Sequence, residues 1–445
     1  MTSGDGPMGG KARRIPPRTR AYRGGHSRDR EDREKIEKKK KKKYTSKWNN
    51  IRLEANADIQ TGLSKSTARK GEARNYPYLR VANVQDGFLD LREIKEIAVP
   101  IGQVERFLLR DHDILLTEGG DLDKLGRGHI WKKEIPNCVH QNHIFAVRIR
   151  EQEKIDPKYL MLFLQTTNSK NYFLSCAKQT TNLASINSSQ LKALPVIYPD
   201  HNTQIKIIKT ISFWDSAIEK TERLIEGKQK IKLALMQKLF QGCTDRTSLP
   251  RDMYKYHLGE LFSERTEINR LDLSLLSITG EEGVINRENS GRKDTSSEDK
   301  TKYLRICPGD IGYNTMRMWQ GVSALSSLEG IVSPAYTIVM PKPEIDAEYA
   351  SFLFKHPPMI NEFYRYSQGL TSDTWNLKFD NFSEIIVNIP EIKDQKKIAR
   401  LFREVDHETR LLKRTRNSLD LEKSFLMSKL LTGEWEAPDL PAKAK

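Results

Sequence analysis

The stretch Gly119-Gly120 … Gly126-Arg127-Gly128 is rich in glycine, the residue that lets a backbone approach a phosphate closely. A phosphate cradle also needs GxxxxGK[ST], or GxGxxG between a strand and a helix, and neither is present. His140 and His143 have the HxxH spacing of a metal pair, but no third ligand stands near them, so they read as strand residues. His356-Pro-Pro-Met359 has the outline of the Asn/Asp-Pro-Pro-aromatic motif of amino-methyltransferases. It lacks the carboxamide or carboxylate that would hold the target amine and the ring that would stack on a flipped base. It reads instead as a loop within a helical segment. No Ser/His/Asp or Cys/His set presents itself. No catalytic residue, metal ligand or cofactor is expected on this chain.

The remaining chemistry suits recognition of nucleic acid. Sequence is read by Arg, Lys, Asn, Gln, Ser and Thr at base edges, while positive charge and amides fix the backbone. In the first half of the chain the candidates are Lys124 and Arg127, then Gln179, Thr180, Thr181 and Asn182. In the second half they are Asn314, Arg317, Trp319 and Gln320, then Tyr366, Gln368, Thr371 and Ser372. Each of these loops could also be an ordinary surface turn.

What must position them is a repeat. Residues 199–242 and 390–433 align without a gap at an offset of 191. Matched identities include Gln204/Gln395, Ile207/Ile398, Asp215/Asp406, Arg223/Arg414, Lys232/Lys423, Met236/Met427, Leu239/Leu430 and Gly242/Gly433. Proline at the entry and glycine at the exit mark each copy as a helix, about 60 Å long for about 40 residues at 1.5 Å each. The seam Ile207, Ile211, Trp214, Ile218, Thr221, Ile225, continued by Leu235 and Leu239, alternates spacings of four and three over most of its length. The second copy gives Ile398, Phe402, Val405, Thr409, Leu412, Arg416 and Leu419, with Leu430 at its end. On mostly charged helices, that period is a coiled-coil seam. The two helices are expected to pack on each other rather than each on its own globular neighbour.

Each helix follows a globular segment, residues 48–198 and 254–389. Tyr78–Val84 has a counterpart in Ser274–Ile278, Asp113-Ile-Leu-Leu116 in Asp310-Ile-Gly-Tyr313, and His143–Ile149 in Ala335–Met340. Asp156-Pro-Lys-Tyr159 parallels Asp346-Ala-Glu-Tyr349, each opening an amphipathic helix. The domains expected are a disordered basic tail (1–47), module one (48–198), a helix (199–242), a linker (243–253), module two (254–389), a second helix (390–433) and a short tail (434–445). The class is α+β.

At 445 residues and 37% apolar content the chain can hold two or three domains. No run is long enough to span a membrane, and no N-terminal signal is seen. Four cysteines without a CxxC pair argue against structural zinc and disulfides, and fit a reducing cytoplasm. The net charge of +16 is concentrated: residues 1–47 hold 17 Lys/Arg against 6 Asp/Glu, leaving +5 for the other 398 residues. Charge alone therefore does not establish nucleic-acid binding.

Taken together, the short strand and proline, the glutamine five residues later, and helices ending Leu235-Met-Gln-Lys-Leu-Phe-Gln-Gly242 and Leu430-Leu-Thr-Gly-Glu-Trp435 resemble the specificity subunits of type I restriction-modification systems. The resemblance covers residues from about Trp48 to Trp435, and Tyr78–Val84 and Asp113–Thr117 also match the openings of that family's recognition domains. It implies two α/β-type target-recognition domains in a pseudo-twofold repeat, separated by two long antiparallel helices forming a coiled coil. It also implies a two-part asymmetric DNA target, two methyltransferase subunits docked on the helices, and restriction subunits beyond them. S-adenosylmethionine, ATP and Mg²⁺ would reside on those partners, and the complex would be cytoplasmic, associated with the nucleoid. The basic tail before Trp48 is a departure from the family pattern. A different bipartite methyltransferase system and a protein-binding scaffold remain the alternatives.

Overall fold

Over residues 49–198, short runs of Val, Ile, Leu and Tyr are broken by Gly, Asn and Asp, the pattern that builds strands. The computed structural model describes residues 48–64, 72–121, 125–179, 183–245, 252–280, 283–290, 299–371 and 374–439. Two units result. The first takes the chain up to Ala217 and again from Leu419 onward; the second is Ile218–Ser418.

In sequence order the elements are β1 (Asn49–Arg52), β2 (Ala57–Thr61), β3 (Ala73–Leu79), β4 (Lys95–Pro100), β5 (Ile114–Thr117), β6 (Gly119–Asp121), β7 (Gly128–Ile130), β8 (Val139–His140) and β9 (Ile144–Ile149). Helices α1 (Pro157–Leu164) and α2 (Thr167–Cys176), β10 (Lys178–Gln179), β11 (Leu183–Ser185), α3 (Ser188–Lys192) and β12 (Pro195–Tyr198) lead into the long helix α4 (His201–Leu239). Then follow β13 (Met253–His257), α5 (Leu258–Leu261), β14 (Phe262–Glu264), β15 (Leu276–Thr279), β16 (Gly283–Asn286), β17 (Leu304–Ile306), β18 (Ile311–Asn314), β19 (Ser323–Leu325), β20 (Gly330–Val332) and β21 (Tyr336–Pro341). The chain closes with α6 (Ala347–Leu353), α7 (Pro357–Tyr366), α8 (Phe379–Ser383), β22 (Ile386–Pro390) and the second long helix, α9 (Ile392–Leu430).

The duplication extends into the sheets. The first unit has a four-stranded antiparallel sheet in the order β2-β9-β5-β7, and the second has β14-β21-β18-β19. In each, the strand that precedes the long helix pairs antiparallel with the opening strand, β12 with β1 and β22 with β13. The matched Asp113 and Asp310 sit just before β5 and β18, almost fully buried. Each accepts the backbone N–H three residues earlier (2.8 Å from Arg110, 2.7 Å from Cys307) and pairs through both oxygens with an arginine, Arg148 or Arg265. Outside these frames the units differ. The first adds β4-β3-β8 and β10-β11-β6, whereas the second adds the pairs β15-β16 and β17-β20.

The expected seams are covered. Ile207 and Ile211 of α4 lie in the first unit's core with Met427 and Leu430 of α9, beside Tyr159, Leu194 and Tyr198. In the second unit, Met236 and Phe240 share a core with Ala399 and Phe402, with Leu235, Leu239 and Ile398 packed against it. Ile218 and Val405 are buried, and Trp214, Ile225, Leu412 and Leu419 half-buried. The two helices therefore meet each other within each unit and also join its core, combining the two arrangements that the sequence set against each other. Their pairing is antiparallel. Asp215 meets Lys423 in the first unit (2.5 Å), while Lys232 meets Asp406 (2.6 Å), Lys228 meets Glu408 and Glu222 meets Arg416 (3.1 Å) in the second. Asp215 is matched to Asp406 and Lys232 to Lys423, so the same ion pair closes in both units with the helices exchanging roles. Gly242 and Gly433 take positive φ (79° and 66°) just past the helix ends, the left-handed cap that favours glycine.

Gln204 and Gln395 explain their place in the repeat. Both are fully buried in the first turns of the long helices. Gln204 Nε2 donates to the Pro199 and Lys154 carbonyls (3.0 and 2.8 Å), and its Oε1 accepts from Asp156 N (2.9 Å). Gln395 makes the same three bonds with Pro390, Glu344 and Asp346 (2.9, 3.0 and 2.8 Å). Each glutamine ties its helix to the turn that caps α1 or α6. Gln204→Leu should strand these buried groups at about 1–3 kcal/mol each. The melting temperature should then fall by at least about 6 °C, at about 2–4 °C per kcal/mol for a unit of this size. Differential scanning calorimetry would check it; an unchanged transition would contradict the assignment.

Candidate nucleic-acid interface

In the first unit, β6 and β10 flank β11 in one sheet, with Leu183 opposite Asp121 and Gln179 opposite Ala184. The strands leading into the glycine-rich stretch and into the Lys178–Asn182 loop therefore share one sheet, on either side of β11. Lys124, Thr180, Thr181 and Asn182 lie outside the described residues, and Gln179 is placed only by its backbone in β10. Arg127 is half-buried rather than on a free loop. Its guanidinium donates to Gln85 Oε1 (3.3 Å) and the Val81 carbonyl (3.5 Å). Gly126 beside it has φ +68°, and a Cβ there would sit 2.7 Å from the Phe173 ring.

In the second unit the structure brings both candidate loops together through aromatic rings. Trp319 packs edge-on against Trp375 (5.2 Å between centroids), and Trp375 against Tyr364 (4.8 Å). Trp319 Nε1 donates to the Met316 carbonyl (3.0 Å). Arg317 and Gln320 are exposed around this cluster, as are Gln368 and Thr371, whereas Tyr366 packs partly against the core. Ser372 lies outside the described residues. Asn314 closes β18 opposite Tyr336 and borders a concave surface with Ser277, Arg287, Lys302 and Tyr303. Tyr313, the residue before Asn314 in β18, is fully buried. Tyr364 opens the second candidate stretch of the sequence, whereas Trp375 lies beyond its end and is missing from the sequence-derived candidates.

Other chemical candidates resolve as structural. His140 is fully buried in β8 with Nδ1 3.2 Å from the Phe107 carbonyl. His143 lies in the turn before β9, not in a strand, and meets Glu118 (2.6 Å). His356 caps the start of α7, whose first turn is Pro357-Pro358-Met359 rather than a loop, and its Nδ1 lies 3.6 Å from Cys243 Sγ. Burial pushes the Cys243 thiol up to about 12, so this Cys–His contact offers no thiolate near neutrality. Among the described residues no group of three or more His, Cys, Asp or Glu could hold a metal, and no helix is long and apolar enough to cross a membrane.

Burial lowers the His140 pKa to about 4, from an ordinary value of 6.5. The unfolded chain therefore takes up this proton first, and the associated stability is lost as pH falls from about 6.5 towards 4. His140→Gln should flatten that decline in melting temperature; an unchanged pH profile would contradict it.

The profile described as "Type I restriction modification DNA specificity domain" matches residues 45–227. The putative type I restriction enzyme MjaX specificity subunit of Methanocaldococcus jannaschii is 24% identical over 403 residues, covering 84% of this chain and 90% of that one. In these comparisons the chain is similar to the specificity subunits of type I restriction-modification systems. A further relative, the EcoKI specificity subunit of Escherichia coli K12, is 22% identical over 219 residues, 45% of this chain and 46% of that protein. A solved chain from work on complex assembly and conformational transition of a type I restriction-modification system covers 87% of this chain and 98% of its own length. Its TM-score is 0.57 at 12% identity, a likeness of fold.

Proposed function

We propose that the chain reads a two-part, asymmetric DNA target with its two units, and that its long helices carry the subunits that do the chemistry. The observation behind this is the repeated frame. The same sheet order, helix latch and interhelical ion pair occur twice, while the segments mounted on the frames differ. Two unlike readers on like mounts suit two unlike half-sites, the geometric logic of dimeric DNA binders applied within one chain. Two methyltransferase subunits are the partners expected on the helices, with restriction subunits joining them. S-adenosylmethionine, ATP and Mg²⁺ belong to those partners, and the complex works in the cytoplasm on chromosomal DNA.

The reading is tested by co-expressing the chain with its methyltransferase subunit and sequencing the methylated genome, where one asymmetric two-part motif is expected. With six to ten phosphate contacts, affinity of the purified complex for duplex DNA should fall about 10³–10⁵-fold between 50 and 200 mM salt. Affinity indifferent to salt would favour a protein-binding scaffold.

A further inference from the structure

The second unit carries an apolar projection that base-edge reading does not require. Leu370 is fully exposed, and Met316 and Tyr364 nearby are about half exposed. Isolated exposed apolar residues are ordinary, but the described residues on either side of this one are held by hydrogen bonds. Gln368 and Asn376 exchange backbone hydrogen bonds (2.8 Å each way), and Asn376 Nδ2 donates to the Gln368 and Thr374 carbonyls (3.2 and 3.1 Å). Trp375 N donates to the Thr371 carbonyl (3.1 Å), and Thr371 N to Thr374 Oγ1 (3.1 Å). Gly369 has φ +142°, and a Cβ on it would fall 2.6 Å from the Thr374 carbonyl oxygen. Only glycine fits there, so the backbone is committed to holding residue 370 outward. The foot of the loop rests on Trp375, wedged between Trp319 and Tyr364.

We propose that Leu370 is a wedge that enters between adjacent base pairs of the bound duplex and unstacks them. Apolar side chains on stiff supports do this in DNA-bending proteins, where leucine is one of the residues inserted. The rim fits a nucleic acid rather than an apolar protein face. Arg317 is exposed to meet a phosphate, and Gln320 and Gln368 offer amides to a groove edge. Unstacking depends on the base step, so the wedge would add sequence preference at a position no hydrogen bond reads. This inference rests on the DNA-reading function proposed above.

The test uses the full chain assembled with its methyltransferase subunits and duplexes carrying the recognised sequence. 2-Aminopurine is placed at successive positions of the half-site and its flanks, never at the methylated adenine. One position should brighten several-fold on binding. Leu370→Ala should abolish that signal and weaken binding about 10-fold, while Leu370→Met should retain both. Because residue 370 is fully exposed, neither change should disturb folding, which an unchanged melting temperature would verify. Tight, sequence-specific binding with no brightening, or equal brightening with Leu370→Ala, overturns the wedge alone. Absence of any sequence-specific binding overturns the DNA reading beneath it.

Discussion

If the chain reads DNA as proposed, replacing residues 254–389 with the corresponding segment of a type I specificity subunit should change one half of the methylated motif and leave the other half unaltered. The grafted segment would meet the same mounts. Pro390 and Gln395 at the start of α9 stay outside the swap, as do the Gly242 and Cys243 carbonyls, which in the parent accept from Asn388 of the replaced segment (2.9 Å from its side chain and 2.7 Å from its backbone N–H). Each lost base-pair contact removes about 1–3 kcal/mol of discrimination, so the original target should cease to be modified while a hybrid one appears. Methylome sequencing reads the result directly. A motif altered in both halves would mean that the two units do not read independently.

Arg148→Met should destabilise the first unit by about 3–5 kcal/mol, the usual cost of leaving a buried charge without its partner. Asp113 is fully buried and takes both its close charged contacts from this guanidinium, at 2.8 and 2.6 Å. The effect should be rescued largely by adding Asp113→Asn, which removes the charge while its amide oxygen still accepts from Arg110 N–H. Urea denaturation of the two variants against the parent would measure it. A cost below about 1 kcal/mol, within the range of an exposed ion pair, would show that solvent reaches the pair.

The repeat made much of this architecture legible before any coordinates. The offset of 191 located both long helices, their glycine caps and the paired latch, because each is carried by a residue type with one strong local preference or geometric use. Asp113 and Asp310 were visible as matched positions, but not their partners, since Arg148 belongs to β9 and Arg265 follows β14. No offset links those two arginines; only the folded sheet brings them to matching carboxylates. Trp375 escaped for a similar reason. It sits between Thr374 and Asn376 with no periodic neighbour, and only the meeting of two distant loops gives it a role. Arg127 looked like a free basic residue, yet its hydrogen bonds to residues 81 and 85 come from a segment that sequence spacing does not connect to it.

Met427, Leu430, Leu431 and Ala437 fill the core of the first unit although they are among the last residues of the chain. During synthesis, the strands of that unit leave the ribosome long before the residues that seal it. They must wait, incompletely packed, while the whole second unit is made. A chain that stops before Leu419 should therefore leave the first unit's core open at the face that Met427, Leu430 and Leu431 cover.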